Sequence, residues 1–228
     1  MKYKWLLFDA DGTLFNYDLA EQIALKKSAD EIGLTYDENL LQAYKKFNGD
    51  MWLLFEKGEI KPDELKVKRF SLLLDNYDFD FDPGKLSSIY IENLADCSVL
   101  IDGAENIVKQ LSKSSKLILI TNGLKTVQRK RFNNSSIKKY FPDIIISEEI
   151  GYAKPDPKML DYAASKMEAA NKKEMLIIGD SLSSDIKAGN NFGIDTCWYN
   201  PSGKSIDQEV EITYEISDLK ELLSILND

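Results

Sequence analysis

The sequence predicts an α/β fold, in which a doubly wound (Rossmann-like) parallel sheet forms the core and carries an inserted helical cap domain. Three observations favour this class. An apolar strand lies at residues 5–8, helical periodicity runs from about residue 17 to 93, and short apolar runs alternate with amphipathic stretches from about Val99 onward. Strands that alternate with helices along a chain form a parallel sheet with helices on both faces.

The first predicted strand ends in two carboxylates. In the segment LLFDADGTLF, residues 6–15, Asp9 follows the apolar run and Asp11 comes two residues later. A short apolar run of this kind is typical of a buried strand, so Asp9 falls where the strand reaches the edge of its sheet. We therefore expect negative charge to be concentrated at this edge.

The next block predicts a helical bundle. In LAEQIALKKSADEIG, residues 19–33, apolar side chains recur at helical spacing until Gly33 ends the pattern. We expect this block to form a helical cap domain over residues 16–95. The α/β core domain then consists of residues 1–15 and 96–228.

Four further strands are predicted in the second part of the core. Their apolar runs are KLILITNG, PDIIISEE, EMLIIGD and GIDTCWYN. Stretches such as PKMLDYAASKM and SDIKAGNNFG separate them and predict helices. Ligands of such folds bind at the carboxyl ends of the strands, so the residues that follow each run are candidates for a site.

The composition narrows the chemistry. The chain has 228 residues, of which 43% are hydrophobic, and this is enough to bury a substantial core. Histidine is absent, so acid–base chemistry falls to carboxylates, lysine or tyrosine. Cys97 and Cys197 form no Cys-x-x-Cys pair, and we interpret both as small core residues.

The charge and hydropathy patterns exclude two classes of partner. A net charge of −9 and a pI near 4.8 are atypical of proteins that bind a nucleic-acid polymer. The basic stretch KTVQRKR, residues 125–131, is interpreted as a solvated helix face. No run reaches the roughly 18–20 apolar residues of a membrane span, and the start lacks a signal-peptide pattern. We therefore expect a cytoplasmic protein with no membrane partner.

Polar side chains follow the ends of successive strands. In chain order they are Asp9 and Asp11, Thr121 and Asn122, Lys154, and Asp180 with Asp185. Carboxylates that converge on one point repel unless a hard cation lies among them, and oxygen-only ligation suits Mg²⁺. A lysine and a threonine hydroxyl beside that ion supply donors for phosphoryl oxygens. The sequence therefore predicts a Mg²⁺ centre that handles a phosphate.

Each of these signals also has a purely structural interpretation. Asp-Gly and Thr-Asn-Gly are common in turns. Lys154 fits an exposed loop, and the Asp180 side chain fits the N-cap of a helix that begins near Ser183. Four signals in order at successive strand ends nevertheless favour a site over coincidence.

The ordered set resembles the four motifs of the haloacid dehalogenase (HAD) superfamily. They are DADGT, TNG, the lysine of GYAKPDP, and GDSLSSD, and the resemblance covers the whole chain, including the place of the helical cap. It implies a phosphatase in which Asp9 is the nucleophile that forms an aspartyl-phosphate, and Asp11 is the general acid and base. Dehalogenases in this superfamily lack the second aspartate, so Asp11 favours phosphoryl chemistry.

The same resemblance implies the remaining roles. Thr121 and Lys154 would orient the phosphate, and we include Asn122 with them. The Asp9 side chain, the Asp11 backbone carbonyl and the Asp180 side chain would bind Mg²⁺, while Asp185 would support the metal site.

The substrate class is implied by a closer resemblance. Stretches such as ITNG, ISEE.G.AKP and TCW.N are similar to the bacterial pyrimidine 5′-nucleotidases of the YjjG type, which implies a nucleoside 5′-monophosphate as the small-molecule substrate. Gly12 departs from the acidic residue expected there. We predict substrate contacts at Phe15, Asn16, Tyr17 and Trp52. The aromatic residues of the cap segment, Phe47, Trp52 and Phe55, are more typical of a cap core.

Other functions stay open at this point. A sugar-phosphate or phosphoglycolate phosphatase would use the same motifs, and so would a phosphomutase. Phosphomutase relatives resemble one another in using a cap histidine, which this chain lacks. A non-catalytic phosphate-binding module is a further alternative. The sequence leaves both a monomer and a homodimer open.

Overall fold

The computed structural model describes residues 2–168, 171–206 and 208–227. The chain forms two compact units, one made of Met1–Tyr17 with Ser98–Asp228 and the other of Asp18–Cys97. The second unit is therefore inserted directly after the first strand and its loop. Its bounds lie close to the predicted ones at residues 16 and 95.

A six-stranded parallel sheet forms the centre of the first unit. Its strands are β1 (Trp5–Asp9), β2 (Lys116–Thr121), β3 (Ile144–Ile146), β4 (Met175–Gly179), β5 (Asp195–Tyr199) and β6 (Tyr214–Ile216). Their order across the sheet is β3-β2-β1-β4-β5-β6, and all neighbouring pairs are parallel. The prediction of a doubly wound parallel sheet is confirmed. Residue Asp9 lies opposite Ile120 of β2, while Phe8 lies opposite Ile178 of β4, so the ends of these three strands meet.

The second unit is built of helices. The first unit has helices of its own, which flank its sheet. The second unit contains α1 (Tyr17–Ile32), α2 (Glu38–Glu56), α3 (Pro62–Asn76) and α4 (Pro83–Ala95), where α1 begins one residue before the unit does. The first unit contains α5 (Ala104–Leu111), α6 (Lys125–Asn134), α7 (Ser147–Ile150), α8 (Pro157–Met167), α9 (Lys187–Phe192) and α10 (Leu222–Asn227). None of the helices in the described part of the chain has the length and apolar character of a membrane span.

Alternation along the strands builds two hydrophobic layers. In β1, Leu6 and Phe8 belong to one buried cluster with residues of α5, while Leu7 belongs to another with residues of α8 and α9. Successive side chains of a strand point to opposite faces of the sheet. Both faces are therefore covered by helices, and the central residues of β1, β2 and β4 are apolar because neither face is left to solvent.

Two local features differ from the sequence-based expectations. Strand β6, which pairs with β5, is absent from them because it has only three residues and follows a polar stretch. The strand expected over PDIIISEE is confined to Ile144–Ile146, since α7 begins at Ser147.

The aromatic core of the second unit differs from the predicted one. Tyr44, Phe70 and Tyr90 are fully buried, and their ring centroids lie 5.1–5.3 Å apart. The predicted set of Phe47, Trp52 and Phe55 is only half-buried. These three rings therefore lie at the margin of the packed interior.

Candidate active site

Lys154 and Asp9 form a buried ion pair at the end of β1. The Nζ of Lys154 lies 2.5 Å from Oδ1 of Asp9, and the two side chains are 2% and 9% exposed. The same Nζ donates to Oδ1 of Asp185 at 2.6 Å and to the backbone carbonyl of Ile120 at 3.4 Å. Lys154 therefore joins the ends of β1 and β2 to the segment after β4, and its interpretation as an exposed loop lysine is wrong.

The segment after β4 supplies two more carboxylates. Asp180 directly follows the strand, and Asp185 lies in a π-helical turn, Leu182–Ile186. The N-cap of this turn is Ser181, whose side chain accepts a hydrogen bond from the backbone N–H of Ser184. The alternative interpretation of Asp180 as the N-cap is therefore wrong, and its carboxylate is available for the site.

Three carboxylates converge at these strand ends. Asp9, Asp180 and Asp185 each bring one oxygen within 4.8 Å of the other two. Burial raises the pKa of Asp9 well above its usual value of 3.8, and the nearby Lys154 offsets part of this effect. Burial and the charge of Asp185 raise the pKa of Asp180 to about 7. The cluster therefore holds its negative charge only at an electrostatic cost.

The surroundings favour the charged form of the Lys154 ammonium group, whereas they disfavour the charged forms of Asp9 and Asp180. Burial acts to lower the pKa of Lys154, but the charges of Asp185 and Asp9 outweigh it and raise that pKa above its usual 10.5. Lys154 stays cationic, yet it supplies one positive charge against three carboxylates. A hard divalent cation with oxygen ligands fits this donor set. The residues present therefore fit Mg²⁺, with Asp9, Asp180 and Asp185 as candidate side-chain ligands.

Two glycines make room for the carboxylates. A Cβ at Gly12 would lie 2.6–2.9 Å from the carboxylate atoms of Asp180, and Gly12 has a φ of +81°. A Cβ at Gly179 would lie 2.2 Å from Cγ of Asp185. Real Cβ atoms do not approach neighbours this closely, so both positions require glycine. Gly12, where an acidic residue was expected, is needed here for backbone conformation and space.

Thr121 is the last residue of β2 and Asn122 follows it, and the side chains of both residues contact protein groups. Oγ1 of Thr121 accepts from the N–H of Gly123 at 2.9 Å. The Asn122 amide donates to the Lys154 carbonyl and accepts from the Lys154 N–H, both at 2.8 Å, and its second hydrogen faces Oγ of Ser184 at 3.4 Å. Both amide hydrogens of Asn122 thus point to protein oxygens. Asn122 therefore holds the backbone of Lys154.

Asp11 contacts helix α6 and not the three-carboxylate cluster. Nε2 of Gln128 lies 2.5 Å from its Oδ2, and a terminal guanidinium nitrogen of Arg131 lies 2.5 Å from its Oδ1. Gln128 and Arg131 are 1% and 0% exposed. Both belong to the KTVQRKR stretch, so the interpretation of this stretch as a wholly solvated face is wrong.

A signal for this buried face is present in the sequence. The buried residues of α6 and its start are Leu124, Val127, Gln128, Arg131 and Phe132. Their spacing of three and four residues is that of one helix face. The pattern is easily overlooked in the sequence because basic residues lie between the buried positions, and two of them, Lys125 and Lys130, are exposed.

The predicted substrate contacts occupy different environments. Phe15 is fully buried, and the guanidinium of Arg131 lies 4.8 Å from its ring centroid. Its ring thus belongs to the hydrophobic core, and its contact with a substrate stays a prediction. Asn16 and Tyr17 are half-buried. Trp52 lies in α2 of the inserted unit, 5.6 Å from the Phe55 ring. Contacts of the last three with a substrate stay predictions.

A parallel sheet that collects these carboxylates and a lysine at its strand ends agrees with one class of enzyme. The chain belongs to the haloacid dehalogenase-like hydrolases, whose family model matches residues 6–199. The predicted family and hydrolase class are therefore confirmed.

Individual relatives align along nearly the whole chain. The protein is 37% identical over 226 residues to YfnB of Bacillus subtilis, which is named as a HAD-hydrolase, with 99% of this chain and 96% of YfnB covered. It is 31% identical to the pyrimidine 5′-nucleotidase YjjG of Escherichia coli, with 99% of both chains covered. It is also 34% identical to the pyrimidine 5′-nucleotidase PynA of Streptococcus pneumoniae, with 100% and 96% covered.

A solved structure gives the same picture. The crystal structure of B. subtilis YfnB bound to magnesium superposes with a TM-score of 0.95 at 36% identity, and 100% of each chain is covered.

Proposed function

We propose that this protein is a Mg²⁺-dependent phosphomonoesterase that acts through an aspartyl-phosphate on Asp9, with pyrimidine nucleoside 5′-monophosphates as substrates. The observation that carries the proposal is the buried contact of Lys154 with Asp9, beside the carboxylates of Asp180 and Asp185. An anionic nucleophile held by a cation, next to a divalent-cation site, is what attack on a phosphate ester needs.

The proposed chemistry has two steps. A carboxylate oxygen of Asp9 attacks phosphorus, the bond from phosphorus to the ester oxygen breaks, and that oxygen takes a proton from Asp11 to leave as an alcohol. Water then attacks the phosphorus of the aspartyl-phosphate and gives its proton to Asp11, which frees phosphate and restores Asp9. The two aspartates have different surroundings, since Asp9 pairs with Lys154 and Asp11 with groups of α6.

The metal site is part of the proposal. Asp9, Asp180 and the backbone carbonyl of Asp11 would hold Mg²⁺, and Asp185, bound to Lys154, would support the site. When bound, Mg²⁺ supplies positive charge to the oxygens of the substrate phosphate. The crystal structure of YfnB is of a magnesium-bound protein, which supports Mg²⁺ as the metal but does not bear on the individual ligands.

The remaining residues orient the parts that react. Lys154 and Thr121 face the phosphate in this proposal. We revise the predicted role of Asn122, because its amide holds the backbone of Lys154 on both sides. The choice of pyrimidine nucleotides is supported by the names of YjjG and PynA, each at least 31% identical along nearly the whole chain.

Phosphate release from a panel of substrates tests the proposal. Pyrimidine nucleoside 5′-monophosphates, sugar phosphates and phosphoglycolate are compared with Mg²⁺ and with chelator. We expect release to be highest for the pyrimidine nucleotides and to stop with chelator. Preference for a sugar phosphate or phosphoglycolate would contradict the nucleotide assignment and leave the phosphatase assignment intact.

Substitution of the nucleophile tests the mechanism. Asp9→Asn removes the attacking anion, so we expect no phosphate release and no phosphorylated protein. Asp161→Asn, an exposed position on α8, is the matched control and is expected to retain activity. Turnover by Asp9→Asn would contradict the assignment of Asp9.

A further inference from the structure

Two donors of one helix hold the two oxygens of one carboxylate. Gln128 Nε2 lies 2.5 Å from Oδ2 of Asp11, and an Arg131 nitrogen lies 2.5 Å from its Oδ1. The two donors stand three residues apart on α6, so they lie on the same face of the helix. Hydrogen bonds to both oxygens restrict rotation of the carboxylate about its bond to Cβ.

Arg131 is buried and also contacts the aromatic ring of Phe15. Arg131 is 0% exposed, and its guanidinium lies 4.8 Å from the ring centroid of Phe15, within reach of a cation–π contact. Asp11 itself keeps 23% of its side chain exposed. The partly exposed carboxylate of Asp11 is therefore hydrogen-bonded by fully buried donors, and its outer side stays accessible to a reacting group.

The contact carries a cost in stability. Gln128 is 1% exposed, and its Oε1 accepts no hydrogen bond from any residue within the described ranges. A buried acceptor without a partner is destabilising. An apolar side chain at this position would avoid that cost. Buried polar atoms without a hydrogen bond break a general rule of protein structure, and such exceptions are expected at functional sites.

Gly123 of the TNG motif leaves space for the contact between Gln128 and Asp11. A Cβ at Gly123 would lie 2.2 Å from Nε2 of Gln128. The glycine of TNG is therefore more than a turn residue, because its missing side chain leaves room for the Gln128 amide to reach Asp11. Three separate positions, 123, 128 and 131, thus serve the placement of one carboxylate.

We propose that Gln128 and Arg131 are positioning residues that hold the Asp11 carboxyl group for proton transfer to and from the substrate. The inference rests on the proposed function, in which Asp11 gives its proton to the leaving ester oxygen and later takes one from water. Gln128 and Arg131 exchange no proton themselves. Their contribution is to orient the group that does.

The leaving group of the ester provides the test. A nucleotide expels an alkoxide that needs a proton, whereas p-nitrophenyl phosphate expels a stabilised phenoxide that needs little help. General acid catalysis contributes about 10²–10⁴-fold. We expect Gln128→Met and Arg131→Met to lower kcat/KM for a nucleotide about tenfold or more, with a loss of less than about threefold for p-nitrophenyl phosphate, since only part of that contribution depends on orientation.

Matched variants separate positioning from general damage. Arg129 lies on the same helix but pairs with Glu149 and Asp143, so Arg129→Met removes an equal charge without touching Asp11 and should affect both esters equally. Arg131→Lys keeps a cation and should recover part of the nucleotide activity. If Arg131→Met does not fold, Gln128→Met and Arg131→Lys decide the test.

The outcomes distinguish failure of the positioning role from failure of the proposed function. Equal losses for both esters in Gln128→Met, or a nucleotide-specific loss in Arg129→Met, would overturn the positioning role and leave the proposed function standing. Absence of phosphate release from any ester by the wild-type protein with Mg²⁺ would instead overturn the proposed function, and the positioning role with it.

Discussion

Lys154 and Asp185 lie 2.6 Å apart with side chains that are 2% and 1% exposed. The same ammonium lies 2.5 Å from Asp9, so one buried cation serves two buried carboxylates. Buried charges of this kind are costly to desolvate, and removal of one partner leaves the other uncompensated. The stability of the first unit therefore depends on the site itself.

Substitution of this lysine should destabilise the protein. Lys154→Met leaves Asp9 and Asp185 without their cation, and we expect the free energy of unfolding to fall by about 3–5 kcal/mol in chelator. Urea denaturation measures it. Lys158→Met, at an exposed position on α8, is the control, with an expected change within about 0.5 kcal/mol. Similar values for the two variants would argue against a structural role of the buried pair.

The stability of the metal-free protein should depend on pH. The pKa of Asp180 is raised from 3.8 to about 7 in the folded protein, so folding favours its protonated form. The stabilisation from this group is present below pH 3.8 and is lost as pH rises through about 7. In chelator we therefore expect Tm to fall as pH rises from 5 to 8, roughly the interval in which a pKa of about 7 is crossed.

Two changes should reduce this dependence. Asp180→Asn eliminates one of the carboxyl groups with a raised pKa, and Mg²⁺ offsets the repulsion of the ionised carboxylates, so each should make the fall in Tm smaller. The gain in Tm on addition of Mg²⁺ should be larger at pH 8 than at pH 5. A gain independent of pH would mean that the carboxylate cluster is not the metal site.

Gly179 tests the packing behind Asp185. A Cβ at this position would lie 2.2 Å from Cγ of Asp185, so Gly179→Ala should displace the carboxylate, lower the free energy of unfolding by about 1–3 kcal/mol and reduce activity. Gly49 in α2 has nothing within 4 Å of its Cβ position. Gly49→Ala should therefore stabilise the protein by about 0.4–1 kcal/mol. If Gly49→Ala lost stability and Gly179→Ala did not, both expectations would be contradicted.

Gly123 tests the space in front of Gln128. Gly123→Ala should push the Gln128 amide away from Asp11, since its Cβ would lie 2.2 Å from Nε2. We expect kcat/KM for a nucleotide to fall more than that for p-nitrophenyl phosphate, as in Gln128→Met. The double variant Gly123→Ala/Gln128→Met should show no further nucleotide-specific loss, because both changes act on one contact. Additive losses would show that Gly123 acts elsewhere.

Much of the fold and the carboxylate cluster was predictable from local patterns. The apolar runs of β1, β2 and β4 mark buried strands, and the polar residues after them, Asp9 and Asp180 among them, meet because parallel strands end at one edge. Strand β6 was not predictable because three residues carry too little periodicity.

Other details depended on contacts that span long stretches of chain. The burial of Phe15 follows from its contacts within the hydrophobic core, and the role of Asn122 follows from the backbone of a residue 32 positions away. Neither contact leaves a mark on the local sequence. The basic stretch 125–131 was wrongly interpreted for a different reason, because its exposed lysines drew attention away from the helical spacing of its buried residues.

Local patterns in the sequence are enough to predict five of the six strands, the order of the strand-end residues and their carboxylate chemistry, because apolar periodicity and residue type are local properties. The contact that each of those residues makes is set by tertiary packing. Arg131 meets Asp11 across 120 positions of the chain, and that pairing exists because the packing of α6 brings two distant, oppositely charged groups within hydrogen-bond distance in a partly buried environment.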